Sequence, residues 1–164
     1  MKSKFKLIAY FIPMLFLFFT GLFIHVIMNM KSTFNSVTVG YFVVSLMFLS
    51  IVMIFAELRD KVIRIELNKN QFIVTPFCGT LNTKIINNKD ITGFYTTIVS
   101  TKYGSYDYLY LIKDSKKVAK ISNQYHKNFD ELSTEVKKKY KDLGFINSGL
   151  VSEFKDLFKT NYFT

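Results

Sequence analysis

The chain has 164 residues, of which 49% are hydrophobic and 21% charged, and its net charge is +10. That length accommodates about one domain of ordinary size. The single cysteine, Cys78, excludes an internal disulfide and a cysteine-clustered metal site. From Glu57 onward, 18 basic side chains stand against 12 acidic ones. This excess is too mild for a nucleic-acid-binding domain.

Two long apolar runs fill the N-terminal third of the chain, residues 1–56. The first extends from Leu7 to Met30 and the second from about Ser36 to Ala56, and neither contains Asp, Glu, Lys or Arg. Each can cross a hydrocarbon core, which takes about 20 residues. The first run is too long for a cleaved secretory signal, which needs roughly 7–15 apolar residues. We therefore predict a transmembrane hairpin with helices at about 7–30 and 36–56.

Basic residues flank the hairpin on one side only. Three lysines precede the first run and three basic residues soon follow the second, whereas Lys31 alone lies between the runs. The positive-inside rule then predicts a two-pass protein of the cell (inner) membrane with both termini in the cytoplasm. The domain at 57–164 would lie on that cytoplasmic face.

Two features inside the hairpin are candidates for a role beyond anchoring. His25 is an ionisable residue within a membrane span, which makes it a functional candidate by default. The interpretation that we favour is that His25 lies near the outer interface, beside Asn29, and reaches water or a neighbouring helix. Ser36 and Gly40 form a small-xxx-small pair, a weak signal for close helix approach.

From Lys61 the hydrophobic pattern changes to a period of two, which is typical of β-strands. Polar turns divide this region into six predicted strands: Val62–Leu67, Gln71–Phe77, Leu81–Ile86, Ile91–Ser100, Tyr106–Lys113 and Lys117–Ser122. Short strands joined by tight turns favour sequential antiparallel pairing in a sandwich or barrel.

A helix is predicted next, over about 128–143. Asn128 is a good N-cap and Glu131 stands at the capping-box position. An apolar stripe follows, and Gly144 is the expected residue after the helix end. The stripe consists of Phe129, Leu132, Val136, Tyr140 and Leu143. The lysines of 137–141 form a solvated helix face, and a short terminal helix is predicted at about 152–160.

No pattern in the chain indicates catalysis. His126 is the only histidine outside the hairpin and has no His or Cys near it, so we predict a residue at the surface or near the helix cap. The alternating tyrosines of 106–110 suit core or cross-strand packing better than base stacking. We therefore expect a protein that is not an enzyme. No catalytic, cofactor-binding or metal-ligating residue and no cofactor is predicted.

The order of these elements resembles that of bacterial two-pass membrane proteins with a pleckstrin-homology-like (PH-like) domain. The resemblance rests on four segments: Lys61–Leu67, Gln71–Phe77, Tyr108–Lys113 with Lys117–Ser122, and Tyr125–Leu132. It implies a curved seven-stranded β-sandwich or barrel in which the C-terminal helix closes one open end. The apolar stripe from Phe129 to Leu143 would fill that open end. The seventh strand would come from Leu58–Lys61 or from the Thr97–Tyr103 region.

Phosphoinositide binding is not carried over from this resemblance, because Arg64 and Lys69 flank Glu66 and do not match the basic pattern of the binding members. We expect a membrane-anchored, non-catalytic module that binds a protein partner or a second copy of itself, or else anionic lipid headgroups. No nucleic acid and no small-molecule substrate is expected. The alternative is an accessory subunit, or a small enzyme or transport component, that acts through the hairpin and His25.

Overall fold

The computed structural model describes residues 1–29, 37–80, 82–101 and 104–146. Two long helices lead into two β-sheets and a shorter helix. The helices are α1 (Leu7–Met28), α2 (Val37–Asp60) and α3 (Phe129–Lys139). The strands are β1 (Arg64–Leu67), β2 (Gln71–Thr75), β3 (Lys84–Asn87), β4 (Gly93–Thr101), β5 (Gly104–Lys113), β6 (Lys116–Ser122) and β7 (Asp142–Phe145). Ser36 and the predicted helix at 152–160 lie outside the described residues.

Helices α1 and α2 pack against each other through aromatic rings. The Phe16 and Phe55 ring centres lie 6.0 Å apart, and those of Phe23 and Phe48 lie 6.3 Å apart. Most other apolar side chains point outward; Leu17, for example, is 70% exposed. By length and composition both helices are candidate membrane spans. A bilayer interior suits such exposed apolar surface, whereas water does not.

The second helix does not end with its apolar run at Ala56, as predicted, but continues to Asp60. Its last turn is stabilised by a salt bridge of 2.7 Å between Lys61 and Glu57. Leu58 in this turn is buried. The predicted domain boundary at residue 57 therefore falls inside a continuous helix.

The strands form two sheets. One is the antiparallel sheet β1-β2-β3, and the other has the order β6-β5-β4-β7. One buried cluster joins side chains from both sheets and from α3, and Phe72, Leu111 and Leu132 are among its fully buried members. The predicted short antiparallel strands are confirmed. The prediction allowed a sandwich or a barrel, and the structure has two sheets, of three and four strands, that do not close into a barrel.

Both predicted sources of the seventh strand are wrong. Leu58–Asp60 belongs to α2, and Thr97–Thr101 is part of β4. The seventh strand is β7, which follows α3 and pairs in parallel with β4. Its pairing satisfies backbone groups on the edge of β4: the Phe94 N–H donates to the Lys141 carbonyl at 3.0 Å.

This pairing also explains why α3 is shorter than predicted. The helix ends at Lys139, not at residue 143, and Tyr140 is extended. Gly93 permits the close approach of the next segment, since a Cβ there would lie 2.4 Å from the Lys141 carbonyl oxygen. Gly144, at φ 103°, lies inside β7. Pairing with β4 therefore outweighs the continuation of the helical stripe to Leu143.

Candidate functional site

The first residues of the chain lie along the free edge of β1. Lys2 forms an antiparallel bridge with Glu66, and their side chains make a salt bridge of 2.7 Å. The Ser3 N–H donates to the Ile65 carbonyl at 2.7 Å, and the Ile65 N–H donates to the Ser3 hydroxyl at 2.9 Å. The edge of β1 is thus covered, which removes an exposed pairing surface.

The same segment then pairs with the loop before α3. Phe5 forms a bridge with His126, the Lys6 N–H donates to the Tyr125 carbonyl at 2.8 Å, and the Lys127 N–H donates to the Lys4 carbonyl at 2.7 Å. Both helices of the hairpin therefore meet the β domain at the same end. We call this end the junction: residues 1–6, 57–62, 76–80 and 125–128.

Asn128 precedes α3 as predicted, but its side chain does not cap the helix. Its Oδ1 accepts a hydrogen bond from the Lys4 N–H at 2.7 Å, and its Nδ2 donates to the Lys2 carbonyl at 3.1 Å. The amide matches one donor and one acceptor of an extended backbone, so it fastens the N-terminal segment to the domain.

His126 is fully buried in the loop before α3, so of the two predicted positions the surface is wrong and the region near the helix cap is correct. Its Nε2 lies 3.0 Å from the Ile63 carbonyl oxygen, and its ring centre lies 5.6 Å from that of Phe5. Burial lowers the pKa of His126, although the carbonyls of Ile63 and Ser122 oppose that shift. The buried imidazole therefore joins segments of the junction and is shut off from solvent.

The last turn of α2 is held to the domain by buried polar contacts. The Tyr125 hydroxyl donates to the Glu57 carboxylate. Burial and that carboxylate raise the pKa of Tyr125 well above its usual range. Asp60 is also buried, and its side chain accepts a hydrogen bond of 2.7 Å from Arg59.

The turn at Phe77–Gly79 reaches the hairpin from the other side of the junction. Phe77 and Cys78 both have positive φ, at 52° and 58°, which costs roughly 1–3 kcal/mol for each such residue. The Phe77 ring centre lies 5.2 Å from that of Phe55, and the Cys78 thiol lies 3.5 Å from the Ala9 carbonyl oxygen. Packing against both helices holds this strained turn in place.

The tyrosines of β5 are packing residues, as predicted. Tyr108 and Tyr110 are buried on one face with Val99 and Ile112. Lys120, itself 4% exposed, lies with its Nζ 4.2 Å from the Tyr108 ring centre. This ammonium covers the ring faces of Tyr108 and Tyr110 by cation–π contacts.

A groove lies between α3 and the edge of the four-stranded sheet. Its volume is about 390 Å³, within the range of about 300–1,000 Å³ that is usual for ligand sites. Exposed Ile98 and Phe145 supply apolar surface. Hydroxyl groups and three charged side chains complete the lining: Thr96, Thr97, Ser133, Thr134, Asp107, Asp130 and Lys137.

The groove carries two carboxylates and one ammonium group. Asp107 is held by Asn123, whose Nδ2 donates to its Oδ2 at 3.2 Å. Asp130 and Lys137 are both exposed and lie about two turns apart on the same side of α3. The lining of the groove therefore combines exposed apolar surface with charges of both signs.

His25 lies against its helical neighbour Asn29. The Asn29 Nδ2 lies 3.4 Å from His25 Nδ1 and donates to the His25 carbonyl at 3.0 Å. Among the described residues, no group of three or more His, Cys, Asp or Glu side chains is placed to hold a metal ion. The groove and the junction are therefore the two functional candidates in that part of the chain.

Sequence reasoning missed the N-terminal segment, although a signal was present. Lys2, Lys4 and Lys6 alternate with Ser3 and Phe5, and the structure exposes the lysines and buries or half-buries the other two. That is the period of a strand. The groove had no such signal, because its lining comes from α3, β4, β5 and β7.

Comparison with known proteins adds no family to this description. No protein-family model, curated protein or solved structure matches the chain. The two candidate spans followed by a sheet-rich region fit a two-pass membrane protein with a C-terminal β domain.

Proposed function

We propose that this chain is a two-pass protein of the cell (inner) membrane that presents a non-catalytic, PH-like interaction module to the cytoplasm. The module binds a segment of a partner protein in the groove between α3 and β4. The seven strands in sheets of three and four, with the α3 stripe in their core, support the PH-like assignment. The position of β7 after the helix departs from that family's pattern.

The groove is the observation that carries the proposed partner binding. Ile98 is 48% exposed and Phe145 is 60% exposed, so two apolar anchor points lie open to a ligand. In the described chain β7 is the outer strand of its sheet. Its outer backbone groups offer hydrogen bonds to an added extended segment, a common mode of peptide recognition.

The junction supports the rest of the proposal. Three separate segments join the hairpin to the domain: the N-terminal strand, the last turn of α2 and the Phe77–Gly79 turn. A module joined in this way stays at the membrane surface in a fixed orientation. Its groove would therefore recruit a partner to one defined site beside the bilayer.

Photo-crosslinking tests this function. A photoreactive phenylalanine at Phe145 is expected to form a covalent adduct with one defined protein in living cells. Ile98→Asp should abolish that adduct, because it places a charge at the apolar anchor point. The matched control is the same photoreactive residue at exposed Lys116, the first residue of β6, where no adduct is expected. Equal adducts from both positions, or none from Phe145, would contradict the proposal.

The alternative function, through the hairpin, makes a different prediction. If the hairpin acts chemically through His25, His25→Ala should reproduce the phenotype of a full deletion. The contact between His25 and Asn29 is local, so we expect His25→Ala to retain the wild-type phenotype and the Phe145 adduct.

A further inference from the structure

Three lysines lie at the junction, and none of them forms an ion pair with another residue that the structure describes. Lys4, Lys6 and Lys127 are all exposed. Lys2, two residues away, differs because Glu66 neutralises it at 2.7 Å. The acidic groups of the α2 end are already engaged, Glu57 by Lys61 and Asp60 by Arg59.

The backbone brings two of these lysines directly together. The bridge between Phe5 and His126, with the hydrogen bond from the Lys127 N–H to the Lys4 carbonyl, places Lys4 across from Lys127. Like charges directly opposite each other on paired strands are destabilising. The pairing thus maintains an unfavourable contact that an anion between the two ammonium groups would relieve.

The position of this lysine cluster indicates the source of the anion. Lys6 immediately precedes α1, and the first residue of α1, Leu7, is 89% exposed. If α1 enters the bilayer at Leu7, the three ammonium groups lie at the depth of the lipid headgroups. A basic residue at that depth strengthens the attraction to an anionic surface by about fivefold.

We propose that Lys4, Lys6 and Lys127 bind the phosphate of an anionic lipid headgroup in the leaflet from which the hairpin starts. The site lies on the N-terminal strand and the loop before α3, not on the β1–β2 hairpin. It is separate from the groove, which holds the partner protein. The inference depends on the proposed two-pass anchoring and adds a lipid ligand to it.

Native mass spectrometry of the full chain tests the site. The protein in detergent is offered equal amounts of phosphatidylglycerol and phosphatidylcholine, with inorganic phosphate in excess as a competitor. We expect phosphatidylglycerol to be the first bound lipid at least about ten times as often as phosphatidylcholine. Inorganic phosphate should not displace it. Lys4→Gln/Lys6→Gln/Lys127→Gln should reduce that preference to near unity.

The matched control is Lys69→Gln/Lys89→Gln/Lys116→Gln, which removes the same charge from exposed lysines that lie outside the junction. It should keep the wild-type preference. An equal loss in both triple variants would mean bulk attraction and would overturn the site, as would a preference that survives in the junction variant or a displacement by inorganic phosphate.

A charge reversal separates lipid binding from a structural role. Lys127→Glu should pair with Lys4, raise the Tm of the chain in neutral lipid and lose the preference for phosphatidylglycerol. A lower Tm together with a retained preference would overturn the inference. Release of the wild-type chain from membranes by alkaline carbonate would instead overturn the two-pass proposal, and this inference with it.

Discussion

The hairpin and the β domain use apolar residues in opposite ways. Phe72 in the domain is completely buried, whereas Phe11 in α1 is 59% exposed. In water the second arrangement would be unfavourable, so the difference indicates different solvents for the two regions. The two regions meet at the junction, where hydrogen bonds and ion pairs accompany a small buried apolar cluster that includes Leu58, Val62 and Tyr125.

The largest expected effect tests this contrast directly. Phe72→Ala removes a fully buried ring from the core and should lower the free energy of unfolding by about 3–5 kcal/mol. Phe11→Ala, which trims a ring exposed to lipid, should change it by less than about 0.5 kcal/mol. Urea unfolding of the full chain in one detergent, followed by circular dichroism, measures both. Similar losses would mean that α1 is packed like the domain core.

Asn128→Ala should have the next largest effect, because it leaves backbone groups of Lys4 and Lys2 without their partner. We expect a loss of about 1–3 kcal/mol in the same unfolding measurement.

Asn128→Ser is the control for a capping role. Serine is a good N-cap, but it is too short to replace both bonds to the N-terminal segment. Full recovery of stability in Asn128→Ser would show that Asn128 acts on α3 and not on the junction.

The smallest expected effect is the pH dependence of the junction. Burial lowers the pKa of His126 in the folded state, so below about pH 6.5 the unfolded chain binds a proton that the folded chain rejects. Stability should therefore be fully present above that pH and decrease by at most about 1.4 kcal/mol for each pH unit toward pH 5. Thermal unfolding at pH 5, 6 and 7 checks this sign.

His126→Gln provides the comparison for this pH series. The variant has no titrating ring, so it should lose the pH-dependent part while being less stable at pH 7. An unchanged slope in His126→Gln would assign the acid sensitivity to another group.

The sequence alone predicted those helices and strands that are determined by the pattern of nearby residues. The apolar runs give the two helices, and the period of two gives six antiparallel strands. These patterns need no knowledge of distant partners, because local burial alone creates them. The solvated lysines of 137–141 were predictable for the same reason.

The features that the sequence did not predict depend on residues that are distant along the chain. The spacing from Tyr140 to Leu143 continues a helical stripe, yet pairing with β4 makes this segment a strand. A buried His126 looks the same in sequence as an exposed one, because its hydrogen-bond partners are backbone groups of Ile63 and Ser122. The groove likewise joins four elements that no local pattern connects.

The most direct test of the account asks on which sides of the membrane the hairpin loop and the domain lie. In a Cys78→Ser background, single cysteines replace Asn35, between the two apolar runs, or Lys138, on the exposed face of α3. A membrane-impermeant maleimide is then applied to spheroplasts. The account predicts labelling at Asn35→Cys in intact spheroplasts and at Lys138→Cys only after permeabilisation. Labelling of Lys138→Cys without permeabilisation would contradict a cytoplasmic module on a two-pass anchor.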